Sequence, residues 1–78
     1  MEETYEVQRT IIRNDGKVKK TTLHYTEKPL QAQKYLKKEI DALRMFDGFK
    51  QEIYINMWTR IIIMNKGQIV FTIEKWNS

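Results

Sequence analysis

Apolar and polar residues alternate in the first third of the chain, on both sides of a short polar loop. The segment "RNDGK" at 13–17 places Asn14, Asp15 and Gly16 between two alternating stretches. A three-residue loop of this composition, ending in glycine, is typical of a tight β-hairpin with a bulge. The register it predicts places Ile11 opposite Lys19, Val7 opposite Leu23 and Tyr5 opposite Tyr25. One face of this hairpin is then apolar and the other polar, as in a sheet with one buried face.

The apolar spacing changes to three and four residues after the first hairpin, which predicts a helix over 30–46. Thr26 is the expected N-terminal cap, Pro29 suits a first turn, and Gly48 is the expected C-terminal cap. The predicted buried face of the helix consists of Ala32, Tyr35, Leu36, Ile40, Leu43 and Phe46.

A second hairpin is predicted around Asn65, Lys66 and Gly67, which repeat the loop chemistry of the first. A three-residue loop here pairs Ile63 with Ile69 and Ile61 with Phe71, and we expect these four residues to face the helix. The preceding segment 53–64, taken as one strand, would be about 40 Å long, whereas the helix spans only about 25 Å. The segment is therefore expected either to bend near Met57 and Trp58 or to extend beyond the helix.

These elements predict an α+β fold: a two-layer β-β-α-β-β arrangement, with a four-stranded antiparallel sheet and one helix packed on one face. The length of 78 residues indicates a single domain over 1–78. The sequence leaves the strand order open.

The second hairpin is apolar on both faces, although one helix can cover only one face of the sheet. An uncovered apolar face on a small protein indicates an interaction surface. We therefore expect a non-enzymatic interaction module that forms a homodimer or binds another protein. The predicted interface residues are Tyr54, Trp58, Arg60, Ile62, Met64, Val70 and Trp76.

Charge is unevenly distributed along the chain, and this supports an alternative function. Residues 9–38 hold nine Lys or Arg against two acids, a net +7, whereas the whole chain is only +4. Basic residues on a β-ribbon and a helix are typical of nucleic-acid binding through phosphates. The predicted contacts are Arg9, Arg13, Lys17, Lys19, Lys20, Lys34, Lys37 and Lys38.

Residue types that carry catalysis or bind metals are scarce. The chain has no Cys and one histidine, His24, which we expect to lie opposite Glu6 as an exposed pair. It also lacks a glycine-rich phosphate loop and any metal-ligand spacing, so we expect no enzyme, cofactor, metal site or small-molecule substrate. With no signal peptide and no long apolar run, we expect no membrane association and a cytoplasmic location.

Overall fold

Five antiparallel strands, rather than the predicted four, form the sheet in the computed structural model, which describes residues 3–77. They are β1 (Glu3–Arg13), β2 (Val18–Thr26), β3 (Phe49–Asn56), β4 (Thr59–Met64) and β5 (Gly67–Asn77), in the order β2-β1-β5-β4-β3. One helix, α1 (Pro29–Leu43), lies between β2 and β3 in the chain. The prediction of an α+β fold with one helix on an antiparallel sheet is confirmed, and the strand count is wrong.

The fifth strand arises because segment 53–64 folds back on itself at Met57 and Trp58. The side chain of Asn56 accepts a hydrogen bond from the backbone N–H of Trp58 at 2.8 Å, a local turn that asparagine favours. Of the two expected outcomes, the bend is the correct one, and it is sharp enough to make β3 and β4 a hairpin.

The first hairpin has the predicted turn and, near the turn, the predicted register. Gly16 has φ of +90°, and the N–H of Arg13 donates to the carbonyl of Lys17 at 2.9 Å. Pairing is as expected from Ile12 opposite Val18 as far as Gln8 opposite Thr22. A bulge then shifts the register by one residue, so the predictions for the strand ends are wrong: Val7 lies opposite His24 and Tyr5 opposite Thr26.

The second hairpin closes with a two-residue loop, so the predicted three-residue loop is wrong. Met64 pairs with Gly67, which makes glycine the first residue of β5, and Ile62 pairs with Ile69. A shift of one residue moves every side chain of a strand to the opposite face. Ile62 is therefore fully buried, and Ile61 and Ile63 lie on the face away from the helix.

The helix begins one residue before its predicted start and ends three residues before its predicted end. Pro29 is in the first turn as expected, but the N-terminal cap position is Lys28. Thr26 instead accepts a hydrogen bond from the Lys28 N–H at 3.2 Å. The C-terminal cap is Arg44 rather than Gly48, and Phe46 lies beyond the helix, 61% exposed.

The core lies between α1 and strands β1, β5 and β4. Ala32, Leu36 and Ile40 of the helix are buried against the sheet. Trp58 packs at the edge of this core, with its ring stacked on Tyr5 at 5.9 Å between centroids. The buried sheet residues are Tyr5, Val7, Ile62, Phe71 and Ile73.

Candidate interaction surfaces

The sheet face opposite the helix, which we call the open face, carries a group of apolar side chains that no element of the described chain covers. Val70 of β5 lies opposite Ile61 of β4, which in turn lies opposite Ile53 of β3. Ile12 and Ile63 flank Gln68 in the adjoining row, diagonal to Val70. All five side chains are partly exposed. We call these five residues the open-face patch.

Neutral polar residues border the open-face patch along β1, β4 and β5, exposed Val18 lies opposite Ile12 on the edge strand β2, and charged residues lie farther out. Thr10, Thr59 and Thr72 occupy neighbouring positions on the same face. Glu6 lies opposite Glu74 beyond them, and Lys20 lies on the edge strand β2 opposite Thr10. Interface cores are poor in charged residues whereas their rims are polar, and the open face has this composition.

Gln8 lies on the open face and is a buried polar residue, with 4% of its surface exposed. Its side-chain N–H donates to the Glu6 carboxylate at 2.8 Å. Its side-chain oxygen is buried with no hydrogen-bond partner among the residues 3–77. The pair of Glu6 and Gln8 marks where the face changes from apolar to polar.

The seven predicted interface residues do not form one surface. Only Val70 and Trp76 lie on the open face. Ile62 is buried, Met64 and Trp58 pack against the core, and Arg60 lies on the helix side beside Tyr54. The cause is the one-residue difference in the β4–β5 register, which exchanged the two faces of β4. Of the missed residues, Ile61 and Ile63 could have been found only from the two-residue loop. Finding Ile53 requires the β3–β4 pairing, and placing Ile12 beside them requires the β1–β5 pairing.

Glu52 on β3 joins the end of the helix to the β3–β4 hairpin. Its carboxylate accepts hydrogen bonds from Arg60, at 2.9 Å, and from Arg44. The Arg44 guanidinium, followed by Arg60, holds the pKa of Glu52 below its ordinary value of 4.5 against the opposing effect of burial. Arg60 also lies over the ring of Tyr54, 4.8 Å from its centroid. These contacts give Arg60 and Tyr54 structural partners on the helix side.

Several predicted nucleic-acid contacts meet at one end of the molecule. Ile11, Arg13, Lys17, Val18 and Lys19 line an open groove of about 630 Å³ at the β1–β2 turn. The turn of the second hairpin lies against the first, since the Asn14 N–H donates to the Lys66 carbonyl at 3.0 Å. We call the two turns, 13–17 and 65–67, the hairpin-tip end.

The other predicted nucleic-acid contacts are dispersed. Arg9 is partly buried on the helix side opposite Phe71, with its Nε unpartnered among the described residues. Lys20 projects from the opposite face of β2. The three helix lysines line a separate depression that also contains Asp41; they are Lys34, Lys37 and Lys38.

His24 lies on the helix side and not opposite Glu6 as predicted. Its ring stacks on Tyr35 at 4.0 Å, and its Nε2 is 3.7 Å from the Glu39 carboxylate. The β1–β2 bulge moved it there by shifting the register. His24 therefore helps to attach the helix to the edge strand.

Neither a metal cluster nor a membrane-spanning helix is found in the part of the chain that the structure describes. Residues 3–77 contain no group of three or more His, Cys, Asp or Glu placed to hold a metal ion. No helix among them is both long and apolar enough to cross a bilayer. Comparison with known proteins finds no matching family model, no matching curated protein and no matching solved structure.

Proposed function

We propose that this protein is a non-enzymatic interaction module that self-associates through the open face. The observation that carries the proposal is the open-face patch, which lies on a five-stranded sheet that, within residues 3–77, a helix covers on the other side only. Two such sheets packed face to face would form a β-sandwich interior, with a helix on each outer side. The occupant of the open face is then a second copy of this chain.

The size of the open face is adequate for a specific dimer. Strand spacings of about 4.8 Å and residue rises of about 3.4 Å give it an area of roughly 700 Å² per protomer. A pair would bury about 1,400 Å², inside the range of about 1,200–2,000 Å² for specific interfaces. In a two-fold dimer each apolar residue contributes twice, because the same patch enters from both sides.

Charge on the open face also permits self-association. The chain as a whole is +4, but the charged residues placed on this face by the strand pairing are Glu6, Glu74 and Lys20. The excess positive charge lies at the hairpin-tip end and on the helix. The excess positive charge is therefore not buried when two open faces meet, which avoids the desolvation cost of buried like charges.

Light scattering coupled to size-exclusion chromatography tests the proposal. At protein concentrations from about 10 to about 500 μM, a range suited to a micromolar dimer, we expect the mass to approach twice 9.5 kDa. The double variant Val70→Lys, Ile61→Lys should be a monomer at every concentration in this range. In a dimer, the lysines of the two protomers would be buried together in the interface without partners.

Leu30→Lys is the matched control, since Leu30 is apolar and 76% exposed but lies on the helix. It should leave the dimer intact, and circular dichroism should show that all variants are folded. A wild-type protein that stays monomeric at the highest concentration would refute self-association. A dimer that survives both lysine substitutions would place the interface elsewhere.

A further inference from the structure

Exposed basic side chains dominate the hairpin-tip end. Residues 9–20 contain five Lys or Arg and one acid, Asp15, and the adjoining turn adds Lys66. Asp15 pairs with Arg13 at 3.5 Å, with both side chains about half exposed. Among the described residues, Lys17, Lys19, Lys20 and Lys66 take part in no ion pair.

The basic residues of the hairpin-tip end line two neighbouring depressions. Arg13, Lys17 and Lys19 border the groove on the helix side. Arg13 also lines a second depression of about 300 Å³, which it shares with Asn14, Asp15 and Lys66 across the two turns. Arg13 thus joins the two basic sites into one continuous surface.

We propose that the hairpin-tip end binds the phosphate backbone of duplex nucleic acid without reading its sequence. A duplex carries about one negative charge per 1.7 Å of its axis, and release of its counterions supplies affinity to any cluster of Lys and Arg. An acidic protein offers a lower density of charge and no comparable counterion release. This site shares no residue with the open-face patch, which it adjoins where Val18 pairs with Ile12, and it does not depend on self-association.

The fold argues against insertion of the β1–β2 ribbon into the major groove. β1 is paired with β5 along its whole length, from Glu3 to Arg13, so the ribbon is not free. Because the two turns contact each other, the strands β2, β1, β5 and β4 lie side by side at this end of the sheet. The distance between the axes of the two outer strands is about 14 Å. The major groove is about 12 Å wide, so the end meets the backbone rather than the base edges.

The side chains of the groove also disfavour recognition of bases in a single strand. Single-strand binders stack bases on aromatic rings. The residues lining the groove and its neighbouring depression include no aromatic side chain. Phosphate contacts therefore dominate, and such contacts are independent of sequence.

Fluorescence anisotropy with a labelled duplex of about 20 base pairs tests this site. With three to five phosphates contacted, a plot of the logarithm of the binding constant against the logarithm of the salt concentration should have a slope of about −2.7 to −4.5. Lys17→Glu with Lys19→Glu should weaken binding by at least about tenfold at low salt. Two duplexes of unrelated sequence should bind within about threefold of each other.

Lys37→Glu with Lys38→Glu is the matched control, because it changes the net charge equally at the helix depression. It should weaken binding by less than about threefold. An equal loss of duplex affinity in both double variants would overturn the assignment to the hairpin-tip end. Absence of duplex binding by the wild-type protein at low salt would overturn the proposal itself. Displacement of the duplex by poly-glutamate at equal charge concentration would show an acidic-peptide site instead and would also overturn the proposal.

Discussion

At the scale of single residues, two glycines with positive φ have different structural roles. Gly16, at φ +90°, lies in the first turn with no atom within 4 Å of the position its Cβ would take. Gly67, at φ +148°, starts β5 against β1, and a Cβ there would lie 2.1 Å from the carbonyl oxygen of Ile12. Gly16 supplies backbone freedom, and Gly67 permits close approach of two strands.

Alanine at each glycine should separate these roles. Gly16→Ala is expected to lower the free energy of unfolding by about 1–2 kcal/mol, the cost of a left-handed alanine. Gly67→Ala should cost more, because the backbone of β1 or β5 must move as well. Gly48→Ala should have little effect, since its Cβ would be 3.7 Å from the nearest atom. Urea unfolding of the three variants measures the loss of unfolding free energy in each. An equal loss for Gly16→Ala and Gly67→Ala would contradict the close approach of β1 and β5 at Gly67.

At the scale of elements, the β3–β4 hairpin supplies Ile62 to the core and is also joined to the helix by polar contacts. The helix packs on β1, β2 and β5. Its polar links to the hairpin are the ion pair of Arg44 with Glu52 and a hydrogen bond from Gln33 to the Met57 carbonyl at 2.7 Å. Within the hairpin, Glu52 of β3 also pairs with Arg60 of β4. The polar part of this attachment should therefore depend on the ionisation of Glu52.

Acid should remove the stabilisation that Glu52 provides. Its pKa is below 4.5 in the folded protein, so the contribution is complete above pH 4.5 and is lost as pH falls through the folded-state pKa. Glu52→Gln should cost about 1 kcal/mol at pH 7, a value that allows for the partly exposed Arg44. The difference from wild type should shrink below pH 4.5.

Urea unfolding at pH 7 and at about pH 3 checks this, since the lower value lies well below an ordinary glutamate pKa. Glu27→Gln, at an exposed position before the helix, is the control for loss of a negative charge. A cost of Glu52→Gln that is the same at both pH values would show that the carboxylate acts through packing rather than charge.

At the scale of the whole molecule, the centre of stability is the pairing of β1 with β5. These strands pair over eleven residues, lie between other strands, and supply Val7 and Phe71 to the core. β3 is an edge strand of eight residues with two irregularities in its pairing to β4. Such irregularities also hinder unwanted pairing at an exposed sheet edge.

Native-state hydrogen exchange should reproduce this hierarchy. Amide protons of β1 and β5 are expected to exchange only on global unfolding, whereas those of β3 should exchange through local opening with a lower free energy. NMR-detected exchange at several low urea concentrations distinguishes the two classes. Equal protection of β3 and β5 would show that the sheet opens as one unit.

The candidate surfaces differed in how far the sequence could predict them. Local charge needs no register, and three of the basic residues predicted around the first turn, Arg13, Lys17 and Lys19, line one groove, whereas Lys20 lies on the opposite face. The apolar open face was expected from the run of Ile61, Ile62 and Ile63, but of the five open-face patch residues only Val70 was among those predicted. Which isoleucines face outward depends on whether the turn before Gly67 has two or three residues.

The sequence by itself determined the helix, the first turn and the excess of apolar strand residues over what one helix can cover. Each follows from local spacing or from loop chemistry. Only the tertiary structure decided the strand order, the division of 53–64 into two strands, and the outward faces of Ile61 and Ile63. The physical reason is that β1 and β5 pair although they are far apart in the chain. This pairing buries Phe71 and Ile73 beside Val7 and so determines which face of β5 packs against the helix. The pairing of β4 with β5 then determines which isoleucines of β4 lie on that face.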